Sequence, residues 1–433
     1  LHLGVDHPLG PSLLRSHLRL RGAATRGRTK VVQIGPTATG SESYAQHSIR
    51  CQAGEAAKTL TELLSSGDPL AQQLRDGSVV TVLGRASMAE SADPAISVAA
   101  VIRAELPHAT FLSALRRGNV RGALDMGLSP GFLPGRVRID NPSQALLQKW
   151  TDIPKEQGLG TTEMLQAAAA GEIETLILLG ADPLCDFPDR NLAAEAIQKV
   201  KTVVAIDNFV TSSVAQADIV LPATAYGEQN GTTTNIEGRV SRVIQKITPP
   251  GSTRDDWMIA TELAWRLGGD LGLTSKDEIW REIEQVAPSH NGITLERVTS
   301  DETHEGILVQ QSSIDLVLPA PQDTPIADGY GLRLISGRKL WDGATATVHS
   351  PSLQHLAEPP TLKVHPSDLQ RLGIPSGSEV RVISTRATEN LTAVADSNIQ
   401  RGTAVLPFNQ PGGGANRFID ATATINDIRI ETL

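Results

Sequence analysis

At 433 residues the chain is long enough to bury several cores, and a formal net charge of −9 with only 3% aromatic residues argues against general nucleic-acid binding. Its two cysteines, Cys51 and Cys185, exclude a disulfide scaffold and any iron–sulfur cluster built from this chain alone, which takes about four thiolates; the usage fits a reducing cytosol. No apolar run approaches the ~18 residues of a transmembrane helix and no signal-peptide pattern opens the chain, so no direct membrane insertion is expected.

Leu1-His2-Leu3-Gly4 reads as the end of a strand that begins upstream, so the sequence reads as a fragment. A turn with Asp6 and Pro8 follows, then an Arg-rich helical stretch over residues 12–28 and a strand over 31–34. The same order returns later: Leu179-Gly180-Ala181-Asp182-Pro183, a helix over 190–200, and a strand over 203–206. Ala45-Gln46 precedes Ile49 as Ala215-Gln216 precedes Ile219. We read an internal strand–helix–strand repeat, although any two such units share some of this pattern. In the second copy Asp207 ends its strand, whereas the first copy has Gly35 at that place.

Between the copies, helical spacing marks residues 55–64, 95–106 and 161–170. The apolar run at 79–83 reads as a strand of the buried parallel type, and 109–112 as another short strand. Residues 119–128 read as a helix or turn, stopped by the Pro/Gly stretch 129–135. Alternation of this kind predicts a parallel sheet covered on both faces. Residues 255–267 and 276–286 are amphipathic helices, and Trp257, Trp265 and Trp280 on them are expected in the core. The basic run Arg15, Arg19, Arg21, Arg26, Arg28 and Lys30 reads as a solvated helix face, or as a surface for an acidic partner.

Pro319, Pro321 and Pro325 mark a linker over residues 316–329. Short strands follow at 332–335, 361–364, 379–383, 391–395 and 403–406, with one helix at 366–372, which predicts a C-terminal β-barrel over 330–433. Residues 1–315 form the α/β region, with two related lobes at about 1–110 and 160–300.

Several ordered motifs carry a resemblance. They are Ala217 to Pro222 (ADIVLP), Glu228 to Arg239 (EQNGTTTNIEGR), Val364-His365-Pro366-Ser367-Asp368, and Arg401-Gly402-Thr403 before a Gly-rich loop ending at Asn416. Together with the Gly-x-Asp-Pro turn they resemble the molybdopterin oxidoreductase superfamily over nearly the whole chain. Asn119 to Gly127 (NVRGALDMG) followed by Leu133-Pro134-Gly135 is similar to the G-type subunit family of NADH–quinone oxidoreductase, respiratory complex I, in its actinobacterial form.

The resemblance implies Rossmann-like α/β lobes followed by a double-psi β-barrel. It implies a scaffold role supporting electron transfer from NADH to quinone, with other peripheral-arm subunits of complex I as partners. The location would be peripheral, on the cytoplasmic side of the bacterial plasma membrane. Iron–sulfur clusters would lie in the region upstream. The other reading is the cofactor-binding module of an active formate-dehydrogenase-like or nitrate-reductase-like enzyme. In the superfamily the Gly-x-Asp-Pro turns approach pterin dinucleotides, so the resemblance makes Gly180, Asp182, Pro183, Asp207, Asn235, Glu237 and Asn416 candidate contacts, working or vestigial.

The residues alone allow a plainer reading. Gly180 and Pro183 shape a tight turn, and Asp182 caps the helix that follows, in place of presenting its N–H groups to a phosphate. Asp207 would sit where a ribose-binding carboxylate sits in a Rossmann-like arrangement. Asn235, Glu237 and Arg239 would form a buried network. An active module would need a cavity between the α/β lobes and the barrel, lined by Gly180, Asp182, Asp207, Asn235 and Asn416. With no H-x-x-H, H-E-x-x-H, G-x-S-x-G or Walker A pattern, no catalytic or metal residue is assigned, and no cofactor is expected on this segment by itself.

Overall fold

The structure is a computed structural model that describes residues 2–3, 11–115, 117–150, 152–300, 305–310, 318–321, 324–325 and 331–433, with the backbone alone for 2–3 and 11–16. The turn containing Asp6 and the side chain of Arg15 lie outside the described residues.

The first sheet comprises β1 (His2–Leu3), β2 (Val32–Gly35), β3 (His47–Arg50), β4 (Val80–Leu83) and β5 (Thr110–Ser113). All its pairs are parallel, in the order β3-β2-β1-β4-β5. Strand β2 is buried along its whole length. Helices Ala56–Ser65, Pro69–Asp76 and Asp93–Glu105 supply Leu60, Leu64, Leu70 and Ile102, which pack with Ile34. The sequence reading overlooked the helix Pro69–Asp76. Its start is well marked: Pro69 opens it and Asp68 accepts a hydrogen bond from Leu70 N at 2.7 Å.

A hairpin, β6 (Phe132–Leu133) and β7 (Val137–Arg138), leads to a second parallel sheet. This holds β8 (Thr175–Leu179), β9 (Thr202–Asp207) and β10 (Ile219–Pro222) in the order β10-β9-β8. That order repeats β3-β2-β1, so the repeat is topological. The second sheet corrects one expectation. Helices Thr161–Ala169 and Arg190–Lys199 cover one face, with Leu176, Leu178 and Val203 beneath them. The other face is covered only at its carboxyl end, where Ile259 and Leu263 pack on Ile206 and Leu221, and leaves Ile177, Leu179 and Ile219 exposed. Where helices dock on one side only, burial alternates residue by residue, as along β8.

An antiparallel sheet of β11 (Gly231–Thr234), β12 (Arg239–Val243) and β13 (Ile307–Leu308) follows. The tryptophans divide. Trp280 is buried and donates to Ile293 O at 2.7 Å, while Trp257 is half-buried. Trp265, expected in the core, is 65% exposed, because helix Asp256–Arg266 turns Ile259 and Leu263 inward and leaves Trp265 on its far side.

The C-terminal strands β14 (Leu332–Ile335), β15 (Thr361–Val364), β16 (Ser378–Ile383), β17 (Thr388–Ala395), β18 (Thr403–Val405) and β19 (Asp427–Thr432) close a barrel. Its core includes Leu334, Leu362, Val380, Ala404 and Phe408. Strand β19 went unread in the sequence; it pairs with both β14 and β16 and completes the closure. The expected fold class holds: parallel α/β lobes on a repeated unit, then a barrel. Among the described residues no helix is long and apolar enough to cross a membrane.

Candidate functional site

The Gly-x-Asp-Pro turn follows β8. Gly180 adopts φ +56° and its N–H donates to Ile206 O at 2.8 Å. Asp182 is 7% exposed and accepts from the Ser213 hydroxyl and from Ser213 N at 3.2 Å. It does not cap the helix opened by Pro183. The Ser213 hydroxyl does so, accepting from Leu184 N at 3.1 Å, while Cys185 N and Asp186 N donate to Asp182 O. The N–H groups of Gly180, Leu184, Cys185 and Asp186 are therefore spent inside the protein.

Asp207 Oδ1 accepts from Asn208 N at 2.7 Å and Phe209 N at 3.1 Å, closing its own turn. Asn235 Oδ1 accepts from Glu237 N and Arg239 N, tying the hairpin between β11 and β12. Gly238 supplies φ +88° there. The network expected around Asn235 is not buried: Glu237 is exposed and lies 3.4 Å from Arg239 and 4.0 Å from Arg19. Asn416 is 3% exposed in the barrel loop, with its N–H on Phe408 O at 3.1 Å. The same loop contains Gly414 at φ +155°, where a Cβ would fall 2.2 Å from Phe408 O.

A cleft of about 550 Å³ does open between the α/β lobes and the barrel. Its walls are the loop after β4 (Arg85, Glu90, Asp93), Thr161 and Glu163 of the second lobe, and barrel residues such as Asn426. Gly180, Asp182, Asp207, Asn235 and Asn416 do not line it, which corrects the expected lining.

Glu90 is the group in the cleft that sequence reading missed. It is 5% exposed and borders both this cleft and the smaller crevice at the carboxyl ends of β2 and β4, where ligands of open α/β sheets bind. Its Oε1 has no hydrogen bond among the described residues. Burial pushes its carboxyl up to about 7, against the pull of Arg85 and Arg333. Arg333, itself 4% exposed, pairs with Asp427 at 3.0 Å and donates to Ala53 O at 3.1 Å.

The barrel carries a second unmet demand. Gln410 is 5% exposed and neither atom of its amide is paired among the described residues. Asn409 donates to Cys185 O but leaves Oδ1 without a partner. Both precede the Gly412–Gly414 loop. Buried amides left unpaired cost about 1–3 kcal/mol each, so such groups mark places where something else supplies the partner. Elsewhere the second lobe and the barrel are joined by paired charges. Asp189, fully buried, pairs with Arg386 at 2.6 Å and accepts from Leu192 N; Asp186 pairs with Arg338 and with Arg117.

Burial and neighbouring carboxylates push the Cys51 and Cys185 thiols up to about 12, so neither serves as a thiolate near neutral pH. Among the described residues no cluster of His, Cys, Asp or Glu could hold a metal ion.

This architecture agrees with the comparisons. The family model described as molybdopterin oxidoreductase matches residues 3–266, and that of the molydopterin dinucleotide binding domain matches 332–428. The F420-dependent formate dehydrogenase subunit alpha of Methanocaldococcus jannaschii is 29% identical over 74% of this chain and 52% of its own length. The G-type subunit 2 of the NADH-quinone oxidoreductase of Rhizobium meliloti is 30% identical over 68% of this chain and 34% of its own. The chain thus spans about half or less of the length of these relatives. In fold it is similar to acetylene hydratase from Pelobacter acetylenicus, with a TM-score of 0.67 at 15% identity over all of this chain and 78% of that one. With the α/β model matching well over half of its residues and the barrel model nearly all of the C-terminal domain, the chain belongs to the molybdopterin oxidoreductase family.

Proposed function

We propose that this chain is the cofactor-enclosing part of a molybdopterin-dependent oxidoreductase, its barrel and first lobe closing over a pterin dinucleotide. The observation that carries the reading is Gln410, a buried amide with both atoms unpartnered among the described residues, beside the Gly412–Gly414 loop. A guanine or pterin edge offers the matching donor and acceptor. Gln410 and Asn409 would hold it, and Arg85 in the 550 Å³ cleft would face its polar groups. When bound, the group supplies a metal centre able to exchange electrons with a substrate. This chain's own residues bind it, exclude water and, through Glu90, hold a proton near neutral pH. Formate oxidation, named in one relative, is the first activity to assay.

The test is to purify the whole protein and measure molybdenum by mass spectrometry and pterin by fluorescence after oxidation. Stoichiometric metal and pterin are expected, with retention reduced in Gln410→Leu. Neither group in a folded protein would overturn the reading.

A second reading is favoured by the turn after β8, where the N–H groups of Gly180, Leu184, Cys185 and Asp186 and the Oδ1 atoms of Asp182 and Asp207 are engaged internally. In it the chain is a segment of the G-type subunit of complex I on the cytoplasmic face, with other peripheral-arm subunits as partners and iron–sulfur clusters held upstream. Co-purification with NADH-oxidising subunits, without molybdenum, is its expected result.

A further inference from the structure

A second cavity, of about 460 Å³, lies at the carboxyl end of β5 and is remote in its lining from the cleft described above. Its body is apolar, with Phe111, Leu115, Leu124 and Phe132 among its walls, and Arg121 and Arg136 enter it. The segment that builds it is NVRGALDMG with the following Leu-Pro-Gly. Asn119 Oδ1 accepts from Thr234 N at 2.9 Å, which docks the segment on β11. A Cβ on Gly127 would fall 2.7 Å from the Leu133 backbone, and Gly135 N donates to Asp125 O at 2.7 Å. The loop is thereby folded back so that both arginines converge on one carboxylate.

That carboxylate is Asp125, which is fully buried. Arg121 Nε lies 3.1 Å from it and Arg136 Nε 2.6 Å. Arg136 reaches it from φ +58°, a backbone conformation seldom adopted by a side-chain-bearing residue. Arg121 donates Nε to Asp125, Arg136 meets the same carboxylate as a close ion pair without a hydrogen bond from Nε, and neither has a Nη hydrogen bond among the described residues. His290, nearby and buried, is shifted by burial toward its neutral form. Glu237 at the rim is exposed and shared with Arg239 and Arg19. Two guanidinium charges against one carboxylate leave one unmatched positive charge at the floor of an apolar pocket. Such a charge calls for one anion, and guanidinium forks match a carboxylate.

We propose that this pocket binds a monovalent organic carboxylate with an apolar body, its carboxylate on the Nη groups of Arg121 and Arg136 and its body along Phe111, Leu115 and Phe132. The volume suits a ligand far larger than a one-carbon acid. This site stands apart from whatever the barrel holds.

The test is calorimetric titration of the full-length protein with octanoate, hexanoate, formate, 1-octanol and octylamine at neutral pH. Octanoate binding is expected, weakening about fourfold for each methylene removed, with 1-octanol and octylamine at least tenfold weaker. Arg136→Gln should weaken octanoate at least tenfold. Leu115→Trp, at a half-buried wall position, fills the pocket without touching the ion pairs and should abolish binding with the unfolding temperature kept. Equal binding of 1-octanol, formate as tight as octanoate, unchanged affinity in both variants, or no binding of octanoate would each overturn the proposal.

Discussion

The two parallel sheets are copies of one strand order, yet they are finished differently. In the first, β2 is buried throughout beneath three helices, and its carboxyl edge opens on a crevice with a buried, half-unpaired carboxyl, Glu90. In the second, one face is bare along β8 and at the start of β10, and the carboxyl edge is closed by Asp182, Ser213 and the paired charges Asp186 and Asp189. A duplicated unit has thus been used once as an open edge over a cleft and once as a bonded joint to the barrel. Where the carboxylates are paired the unit is architecture, and where one is left over it retains the capacity to bind.

The sharpest way to break this comparison is a truncation in each sheet. Ile34→Ala, at a position with no exposure, should cost about 4 kcal/mol by the usual transfer-plus-cavity penalty, read from urea unfolding. Glu90→Gln comes next and should act in the opposite direction. Burial holds the folded carboxyl at about 7 against an ordinary 4.5. A raised carboxyl gives stability that is fully present below pH 4.5 and lost as pH rises through 7, about 3 kcal/mol in all as an upper figure. Glu90→Gln should therefore be the more stable protein at pH 8 and show a flatter stability profile between pH 4.5 and 8, measured by thermal unfolding across that range. A steep profile in the variant would place the titration elsewhere.

In the second copy, Ser213→Ala removes the hydroxyl that links Asp182 to the Leu184 N–H, and should cost about 1–3 kcal/mol. Hydrogen exchange should localise the loss to the turn at 180–186. The smallest effect is expected on the bare face: Ile177→Thr, 57% exposed, should change stability by less than about 0.5 kcal/mol. A loss as large as that of Ile34→Ala would show that this face is covered in the working protein.

Much of the architecture was legible in residue order. Apolar runs alternating with helical spacing, the recurrence of a Gly-x-Asp turn with a Pro and of Ala-Gln before a final strand, and the strand-dense C-terminus gave the lobes, the repeat and the barrel. Pattern failed where the deciding partner was distant. Strand β19 has ordinary alternation, and only its pairing with β14 and β16 makes it the closing strand. Trp265 sits in a convincing helix, but which side faces inward depends on what packs there.

The candidate site was less legible than the fold. Asp182 stood out in the sequence, but its partner Ser213 lies 31 residues away and takes over the capping role. Glu90 and Gln410 carry no motif, and their importance comes from burial without a partner. Arg121, Asp125 and Arg136 were visible as letters of NVRGALDMG and its sequel, yet their charge imbalance exists only once the loop folds back on itself. The sequence by itself determined which elements form, because hydrophobic period and turn chemistry are local. Only the tertiary structure decided which polar groups are spent and which are left over, because desolvation and pairing depend on neighbours brought from far along the chain.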